Sequence, residues 1–236
     1  MITLYQLPPA YGLPVSVSPF CTKLELYLRL TRREFKTETG DIRKSPNKKV
    51  PFVAGLEPDR LIADSGDIIT TLEDRGPRLD EGLSDEARAL GDELIALTEK
   101  DVYYAVLYSR FVDDEGWKKQ KPTIKALVPW AVRPLVVPII RKSQIKLCQK
   151  ADFDGERGYQ RAVPIVERIA EVLGDKPFLL DDMPRVADCS IWANLMHNAY
   201  ASIPTPVRTA VRENDRLMAY VRRLAAGTEL ELPALP

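Results

Sequence analysis

Strand-like patterns occupy only the first part of this chain, and the segments after about residue 80 have the periodicity of helices. An apolar run ended by Pro8-Pro9 comes first, and apolar residues at helical spacing follow from Pro19. A second run, a pair of runs joined by a turn, and a helix from about Ser65 complete this part. The runs that predict strands are residues 2–7, 35–39, 50–54 and 60–63. This order predicts a parallel β-α-β unit to which a hairpin adds antiparallel strands.

The rest of the chain predicts a helical unit. Helical periodicity, with Pro and Gly near several of the ends, is found in residues 84–115, 134–150, 156–173, 186–200 and 207–226. A small α/β unit followed only by helices indicates two packed domains. We therefore expect an α/β domain over residues 1–78 and an all-helical domain over residues 83–236.

Composition narrows the function classes. Lys+Arg and Asp+Glu both number 34, so no overall field favours a nucleic-acid partner. The three cysteines are widely spaced and odd in number, which is a poor disulfide framework and suits a reducing compartment. The first residues lack the pattern of a secretory signal, and no apolar run reaches the roughly 20 residues of a spanning helix. We expect a cytoplasmic protein.

The Ser-Pro-Phe-Cys run that begins at Ser18 has the residue types of a helix start. The free N–H groups and the dipole at such a position favour a negative charge, such as a thiolate. Ser18 is then either a simple cap or a residue that stabilises an anion. Cys21 is either an inert packed residue or a thiol whose pKa the helix start lowers.

The same run resembles the Cys-Pro-Tyr-Cys of glutaredoxins with its first cysteine replaced, and the helix start of serine-type glutathione transferases. The Lys-Val-Pro-Phe run from Lys49 resembles that fold's cis-proline segment, and the Ala-Asp-Ser run from Ala63 resembles its acidic-Ser pair. The finer pattern is most similar to the metaxin and failed-axon-connections-like branch. The resemblance implies the glutathione-transferase architecture: a thioredoxin-like α/β domain (βαβ-ββα) followed by an all-α domain.

Glutathione is the co-substrate that this resemblance implies. A cis bond before Pro51 would present the Val50 backbone N–H and C=O to the extended peptide for strand-like pairing. Asp64 and the start of the helix at Ser65 would hold the γ-glutamyl ammonium and carboxylate.

Two lysines are candidates for the other end of the peptide. Lys49 or Lys44 would pair with the glycyl carboxylate, and the alternative for each is a solvated basic loop.

The reaction implied by the resemblance is transfer of the glutathione thiol to a small electrophile. Ser18 would donate a hydrogen bond to the sulfur, with Cys21 as a second catalytic candidate. Tyr104 and Tyr108, one helical turn apart, are candidates for the electrophile pocket, and buried core aromatics are the alternative. His197 is expected to be structural. Members of this architecture usually pair, so we expect a homodimer.

One departure from the family pattern bears on activity. Arg185 stands where the family usually has a Ser or Thr cap ahead of Asp188, so half of a capping box is lost. Metaxin-like members are known less as transferases than as proteins of membranes and development. The alternative function is therefore a non-enzymatic protein of this fold that acts through protein or membrane contacts.

A basic stretch, residues 117–150, departs from the even charge balance. No acidic residue occurs between Glu115 and Asp152, and apolar residues alternate with the lysines and arginines. Pro129, Pro134 and Pro138 are expected to break any long helix here. Three interpretations remain: a core-facing segment with a solvated basic edge, a wall of the electrophile pocket, or weak contact with an anionic membrane surface.

Overall fold

The computed structural model describes all 236 residues, from Met1 to Pro236. Its first part is a four-stranded sheet in the order β2-β1-β3-β4, in which β1 and β2 are parallel and the other pairs are antiparallel. The elements are β1 Ile2–Gln6, α1 Pro19–Leu30, β2 Phe35–Thr39, β3 Phe52–Glu57, β4 Arg60–Ala63 and α2 Ser65–Glu73. The predicted fold class, thioredoxin-like followed by all-α, is confirmed.

The second part contains only helices. They are α3 Asp85–Leu97, a π-helical turn Thr98–Val102, α4 Tyr103–Phe111, α5 Asp114–Leu127, a 3₁₀ turn Trp130–Val132, α6 Arg133–Lys150, α7 Glu156–Leu173, α8 Val186–Ala199, α9 Pro206–Arg212 and α10 Asp215–Gly227. None of the helices has both the length and the apolar character needed to cross a membrane.

The two parts pack through α1 and α8. In α1 the residues from Cys21 to Leu28 are all buried, and in α8 every residue from Ala187 to Ala199 is buried. Because nearly every face of these two helices is buried, each is surrounded by neighbouring elements. The start of α1 is consequently enclosed between the sheet and the helical part.

The expected helix over residues 84–115 is interrupted. A π-helical turn divides it, and the chain leaves the helix after Phe111. α5 then begins at Asp114, and its N-cap is Asp113, whose Oδ1 accepts a hydrogen bond of 2.8 Å from the Gly116 N–H. Because Asp113 satisfies a free amide at the start of α5, it ends one helix and starts the next.

Of the three prolines expected to break a helix, Pro129 lies in the break between α5 and the 3₁₀ turn, and Pro134 lies in the first turn of α6. Pro138 is different, because it does not break the helix that contains it. α6 runs for 18 residues through Pro138, and α5 contains Pro122. Both prolines lie on exposed faces. The carbonyl that each deprives of a partner can therefore bond to water, which lowers the cost of proline inside a helix.

The last predicted helix, residues 207–226, is two helices. Asn214 separates them, because its side-chain Oδ1 accepts a hydrogen bond of 3.1 Å from the Leu217 N–H. This is the arrangement of a helix N-cap, and α10 begins at the next residue.

Candidate functional site

Three segments meet at one end of the sheet: the end of β1, the start of α1 and the start of β3. β1 and β3 are antiparallel, so Tyr5 lies opposite Phe52. Gly40 links the neighbouring loop to the end of β1, because its N–H donates to the Gln6 carbonyl at 2.9 Å. A Cβ at Gly40 would lie 2.7 Å from Val50 Cγ1, so the loop passes close to Val50 here. The predicted site segments are thereby brought together.

Ser18 lies at the N-cap position of α1 with an extended backbone, and Pro19 begins the helix. Its side chain makes no capping hydrogen bond to the helix amides. Its backbone N–H donates to Ser16 Oγ at 3.2 Å, so the backbone is held without the hydroxyl, which faces the Cys21 thiol rather than the helix amides. The simple cap is therefore not the role that the structure gives to Ser18.

Cys21 does not have the lowered pKa expected of a thiol at a helix start. Its side chain is fully buried, and burial raises the pKa of the thiol, opposed in part by a hydrogen bond from the Leu7 backbone and by the Ser18 and Ser16 side chains. The thiol is therefore neutral and shielded, as the packing alternative requires. Cys148 and Cys189 are also buried, and burial raises the pKa of Cys148 to about 12.

The Val50–Pro51 peptide bond is cis, as predicted. β3 begins only at Phe52, so the sheet does not pair with Val50. Neither the N–H nor the C=O of Val50 forms a hydrogen bond within the chain. Such groups need partners when a ligand covers them, and an extended peptide supplies both a donor and an acceptor.

Asp64 and Ser65 lie beside this segment, where β4 passes into α2. The Asp64 N–H donates to the Pro51 carbonyl at 3.4 Å, and Asp64 has a left-handed backbone with φ of 79°. One carboxylate oxygen caps α2 by accepting from the Gly66 N–H at 2.9 Å. The Asp64 side chain is exposed and borders an open cleft of about 830 Å³, whereas Ser65 is buried.

Lys44 and Lys49 lie in the loop between β2 and β3. Both are exposed, and neither forms an ion pair within the chain. The backbone of Lys49 is fixed by a hydrogen bond of 3.0 Å to Asn47 Oδ1. Both ammonium groups are free to meet a carboxylate, and the geometry favours neither.

The tyrosine that contacts α1 is Tyr103, which the sequence analysis did not select. Its ring centroid lies 4.7 Å from that of Phe20, two residues after Ser18, whereas Tyr104 contacts Tyr103 at 5.2 Å. Tyr108 instead packs between Phe153 and Tyr159 in the helical part.

Tyr108 is not brought to the Ser18 site. It lines a cavity of about 360 Å³ to which the α/β part contributes no residue. Both tyrosines selected from the sequence lie after the π-helical turn Thr98–Val102, in α4. Tyr104 contacts Tyr103, and its place in an electrophile pocket stays a prediction.

A buried polar array lies behind Ser18. Arg110 donates from Nη1 to the Val17 carbonyl at 2.7 Å and from Nη2 to His197 Nδ1 at 3.1 Å. His197 Nε2 lies 3.0 Å from Thr22 Oγ1, which lies 3.1 Å from the Ser16 carbonyl. Because these contacts join residues far apart in the chain, no local pattern could have predicted them.

The basic stretch forms an exposed surface on α5 and α6. Trp130 is 81% exposed, and Leu135 and Ile139 on one face of α6 are 68% and 57% exposed. Trp130 borders a cleft of about 580 Å³ whose lining contains two lysines and two arginines and no acidic residue. We define the basic surface as Lys121, Lys125, Trp130, Leu135, Ile139, Lys142 and Lys146.

Two known proteins are similar to this chain in sequence over most of its length. A relative is the isoprene-epoxide–glutathione S-transferase of Rhodococcus sp. (strain AD45), 29% identical over 216 residues that cover 84% of this chain and 87% of that protein. Failed axon connections of Drosophila melanogaster is 28% identical over 243 positions, which cover 95% of this chain and 57% of that protein. The second match agrees with the branch predicted from the finer motif.

Solved structures share the fold. A glutathione S-transferase from Pseudomonas fluorescens has a TM-score of 0.64 and 15% identity, covering 100% of this chain and 99% of that one. Human glutathione transferase theta-2, solved in complex with glutathione, has a TM-score of 0.59 and 17% identity, covering 97% and 82% of the two chains.

Family profiles match both parts of the chain. The glutathione S-transferase N-terminal domain matches residues 19–116, and the C-terminal domain of the same family matches residues 165–224. Together the two profiles span well over half of the sequence, and the fold and its motifs agree with them. The chain belongs to the glutathione S-transferase superfamily.

Proposed function

We propose that this protein binds glutathione and transfers its thiol to a small electrophile. The observation that carries the proposal is the Ser18 hydroxyl, which makes no capping hydrogen bond at the start of α1, together with the unpaired backbone groups of Val50. A donor at this position favours the thiolate over the thiol, and the thiolate is the nucleophile.

The peptide would lie at the end of the sheet where β1 ends and β3 begins. Val50 would pair with its backbone as a short antiparallel strand does. The Asp64 carboxylate, which is exposed and keeps one oxygen free of the helix cap, would meet the γ-glutamyl ammonium. The start of α2 at Ser65 would receive the γ-glutamyl carboxylate, because the free amides and the helix dipole there favour an anion. Lys44 or Lys49 would pair with the glycyl carboxylate.

The electrophile would approach over Phe20 and Tyr103, whose rings form an apolar wall after Ser18. The relative from Rhodococcus acts on an isoprene epoxide, so a small epoxide is the first electrophile to test. In that reaction the sulfur forms a bond to an epoxide carbon, the carbon–oxygen bond breaks, and the oxygen takes a proton from water. Burial and the raised pKa leave Cys21 out of this chemistry.

Binding to immobilised glutathione tests the proposal, with calorimetry to measure affinity. The wild-type protein should be retained and eluted by free glutathione. Asp64→Asn should bind about tenfold more weakly, because it removes the charge that meets the ammonium, and should melt like wild type, because Asn also caps helices. A wild-type protein that passes through the column and shows no heat of binding contradicts the proposal.

The protein would act in the cytoplasm and as a twofold homodimer. The three buried, unpaired cysteines suit a reducing compartment. The dimer is proposed from the family resemblance, and its test is given in the Discussion.

A second candidate function is contact with an anionic membrane surface. The basic surface favours it, because an exposed Trp and two exposed aliphatic residues lie among lysines that form no ion pairs. Trp suits the interface between water and lipid, and lysines are attracted to anionic headgroups. A second copy of the chain fits this surface poorly, since twofold pairing would place like charges together.

Vesicle sedimentation decides the second candidate. The protein should bind vesicles of mixed phosphatidylserine and phosphatidylcholine, and Lys142→Glu should weaken binding severalfold while Lys176→Glu, an equal charge change outside the basic surface, should not. Equal binding to vesicles of phosphatidylcholine alone, or equal loss in both variants, excludes this function.

A further inference from the structure

The protons of the buried array behind Ser18 can be assigned from its donors. A guanidinium only donates, so His197 Nδ1 must accept from Arg110 at 3.1 Å. Burial, together with the nearby charge of Arg110, holds the pKa of His197 well below its ordinary value, so the ring is neutral. Its one proton is therefore on Nε2 and is donated to Thr22 Oγ1, and the Thr22 hydroxyl donates to the Ser16 carbonyl.

Arg110 itself is unusual, because it is buried and forms no ion pair with any carboxylate. It is 7% exposed, and its guanidinium carbon lies 5.2 Å from the centre of the Tyr11 ring. A buried charge without an acidic partner lowers the stability of the fold, so the presence of Arg110 here needs an explanation other than stability. Its two hydrogen bonds go to the Val17 carbonyl and to His197.

The array fixes the two residues that precede Ser18. Thr22 binds the Ser16 carbonyl, and Arg110 binds the Val17 carbonyl. From the other side, the Val17 N–H donates to the Pro8 carbonyl at 3.2 Å and Ser16 Oγ accepts from the Ser18 N–H. The backbone on which the Ser18 hydroxyl depends is thus held by groups from α1, α4 and α8.

We propose that Arg110, His197 and Thr22 are positioning residues that hold residues 16–18 so that the Ser18 hydroxyl meets the glutathione sulfur. The inference rests on the proposed function for its catalytic consequence. The link also couples the helical part to the active loop, since Arg110 and His197 belong to α4 and α8. A shift of about 1 Å in a reacting group can reduce turnover a hundredfold, so holding this loop is a catalytic requirement.

The guanidinium of Arg110, which is permanently positive, binds the carbonyl of the peptide unit that joins Val17 to Ser18. A cation near a thiolate stabilises the ionised form and lowers the pKa of the thiol. The titratable groups that face Arg110 are Tyr11, Tyr103 and His197, all neutral at pH 7 because burial raises the pKa of the phenols and lowers that of the imidazole.

Thr22→Val and Thr22→Ser form the matched pair that tests the proposal. Val keeps the shape of Thr22 and loses the hydroxyl, whereas Ser keeps the hydroxyl. Thr22→Val should increase amide hydrogen exchange in residues 7–18, lower kcat about tenfold with little change in the KM for glutathione, and move the acidic limb of the kcat profile to higher pH. Thr22→Ser should retain wild-type exchange and turnover.

Tyr220→Phe controls for lost stability, because it removes a buried hydrogen bond to Asp188 far from Ser18. It should lower the melting temperature and leave the pH profile unchanged. If amide hydrogen exchange in residues 7–18 of Thr22→Val equals that of wild type, the positioning role is overturned, whatever the glutathione assays show. A wild-type protein that neither binds nor turns over glutathione overturns the proposed function instead, and hydrogen exchange still decides whether the array holds the loop.

Discussion

The hydroxyl of Ser18 lies at the start of a helix that does not use it as a cap. Ser16 Oγ accepts a hydrogen bond from the Ser18 N–H, and Arg110 donates one to the Val17 carbonyl. The backbone is therefore fixed without the Ser18 side chain. A hydroxyl left free at a helix start is available to an anion. This is why we assign Ser18 to chemistry rather than to helix formation.

Ser18→Ala should lower thiol-transfer turnover while the affinity for glutathione and the melting temperature change little. A hydrogen bond to a charged group contributes roughly 1.5–3 kcal/mol, which corresponds to about a tenfold to a hundredfold loss of turnover. Steady-state kinetics, calorimetry and thermal melting measure the three quantities. Full turnover with a melting temperature lowered as for a lost cap, about 1 kcal/mol, would return Ser18 to a capping role.

Asp188 gives the second prediction at this scale. It is buried, and burial raises its pKa to about 6, against hydrogen bonds from the Leu179 and Arg185 amides and from Tyr220. A raised folded-state pKa means that the native protein binds the proton more tightly than the unfolded chain. The bound proton therefore contributes on the order of 3 kcal/mol to the free energy of unfolding below about pH 4, and this contribution is lost as pH rises to about 6.

Denaturant unfolding of wild type and Asp188→Asn between pH 4 and pH 7 measures this effect. The variant has no group that titrates at position 188, so its stability carries no contribution from this proton. The stability of wild type relative to the variant should therefore fall by about 3 kcal/mol as pH rises from about 4 to about 6, since only wild type loses the proton-linked contribution. Parallel pH curves would contradict the raised pKa.

Sequence reasoning selected the candidate site residues whose positions follow from short motifs. Ser18 follows from a helix start, and Val50 and Asp64 lie in the Lys-Val-Pro-Phe and Ala-Asp-Ser runs. Arg110 and His197 were not identified as a pair, because 87 residues separate them and their contact depends on how α4 packs on α8. Two alternatives stayed open for Cys21, because the burial that raises its pKa does not follow from the helix-start motif.

At the scale of elements, the strands and most helix starts were predictable because hydrophobic period and cap residues are local. The course of residues 84–132 was not. The π-helical turn Thr98–Val102 changes the period within a helix, and α5 was missed because its polar, lysine-rich sequence has few apolar positions. The π-helical turn interrupts the expected helix over residues 84–115, and α5 lies mostly in residues to which the sequence pattern assigned no element.

The tight turn between α4 and α5 yields a stability prediction. A Cβ on Gly116 would lie 1.6 Å from the Ser109 carbonyl oxygen, and backbone cannot easily move away. Gly116→Ala should therefore destabilise the protein by about 3 kcal/mol or more, although Ala normally favours helices. Gly227→Ala, at the end of α10 with nothing within 4 Å of the added atom, is the control and should be neutral or slightly stabilising. Equal melting temperatures for the two variants would contradict the close approach.

At the scale of the whole molecule, the two-part fold was predictable because strand patterns stop where the helices begin. The contact between the two parts was not predictable, because the sequences of α1 and α8 indicate burial but not which elements cover each helix. That contact encloses the start of α1 and brings Arg110 against the loop before Ser18. The candidate site is therefore formed by both parts, although the residues that we propose to bind the peptide belong to one.

The assembly prediction also belongs to this scale. We expect a twofold homodimer in which the α/β part of one subunit contacts the helical part of the other. Light scattering coupled to gel filtration at micromolar concentration should give twice the mass of the 26.6 kDa chain. A mass that stays at the single-chain value across the concentration range would exclude the dimer.

The ionisation of bound glutathione tests the central claim most directly. The ultraviolet absorbance of the thiolate, titrated against pH for glutathione bound to wild type and to Ser18→Ala, reports the pKa of the sulfur at the site. We predict a pKa well below that of a free thiol, about 8.5, in the wild-type complex. In Ser18→Ala it should return upward by about 1–2 units at nearly unchanged affinity. An equal thiol pKa in both complexes would contradict the assignment of Ser18 as the residue that stabilises the thiolate.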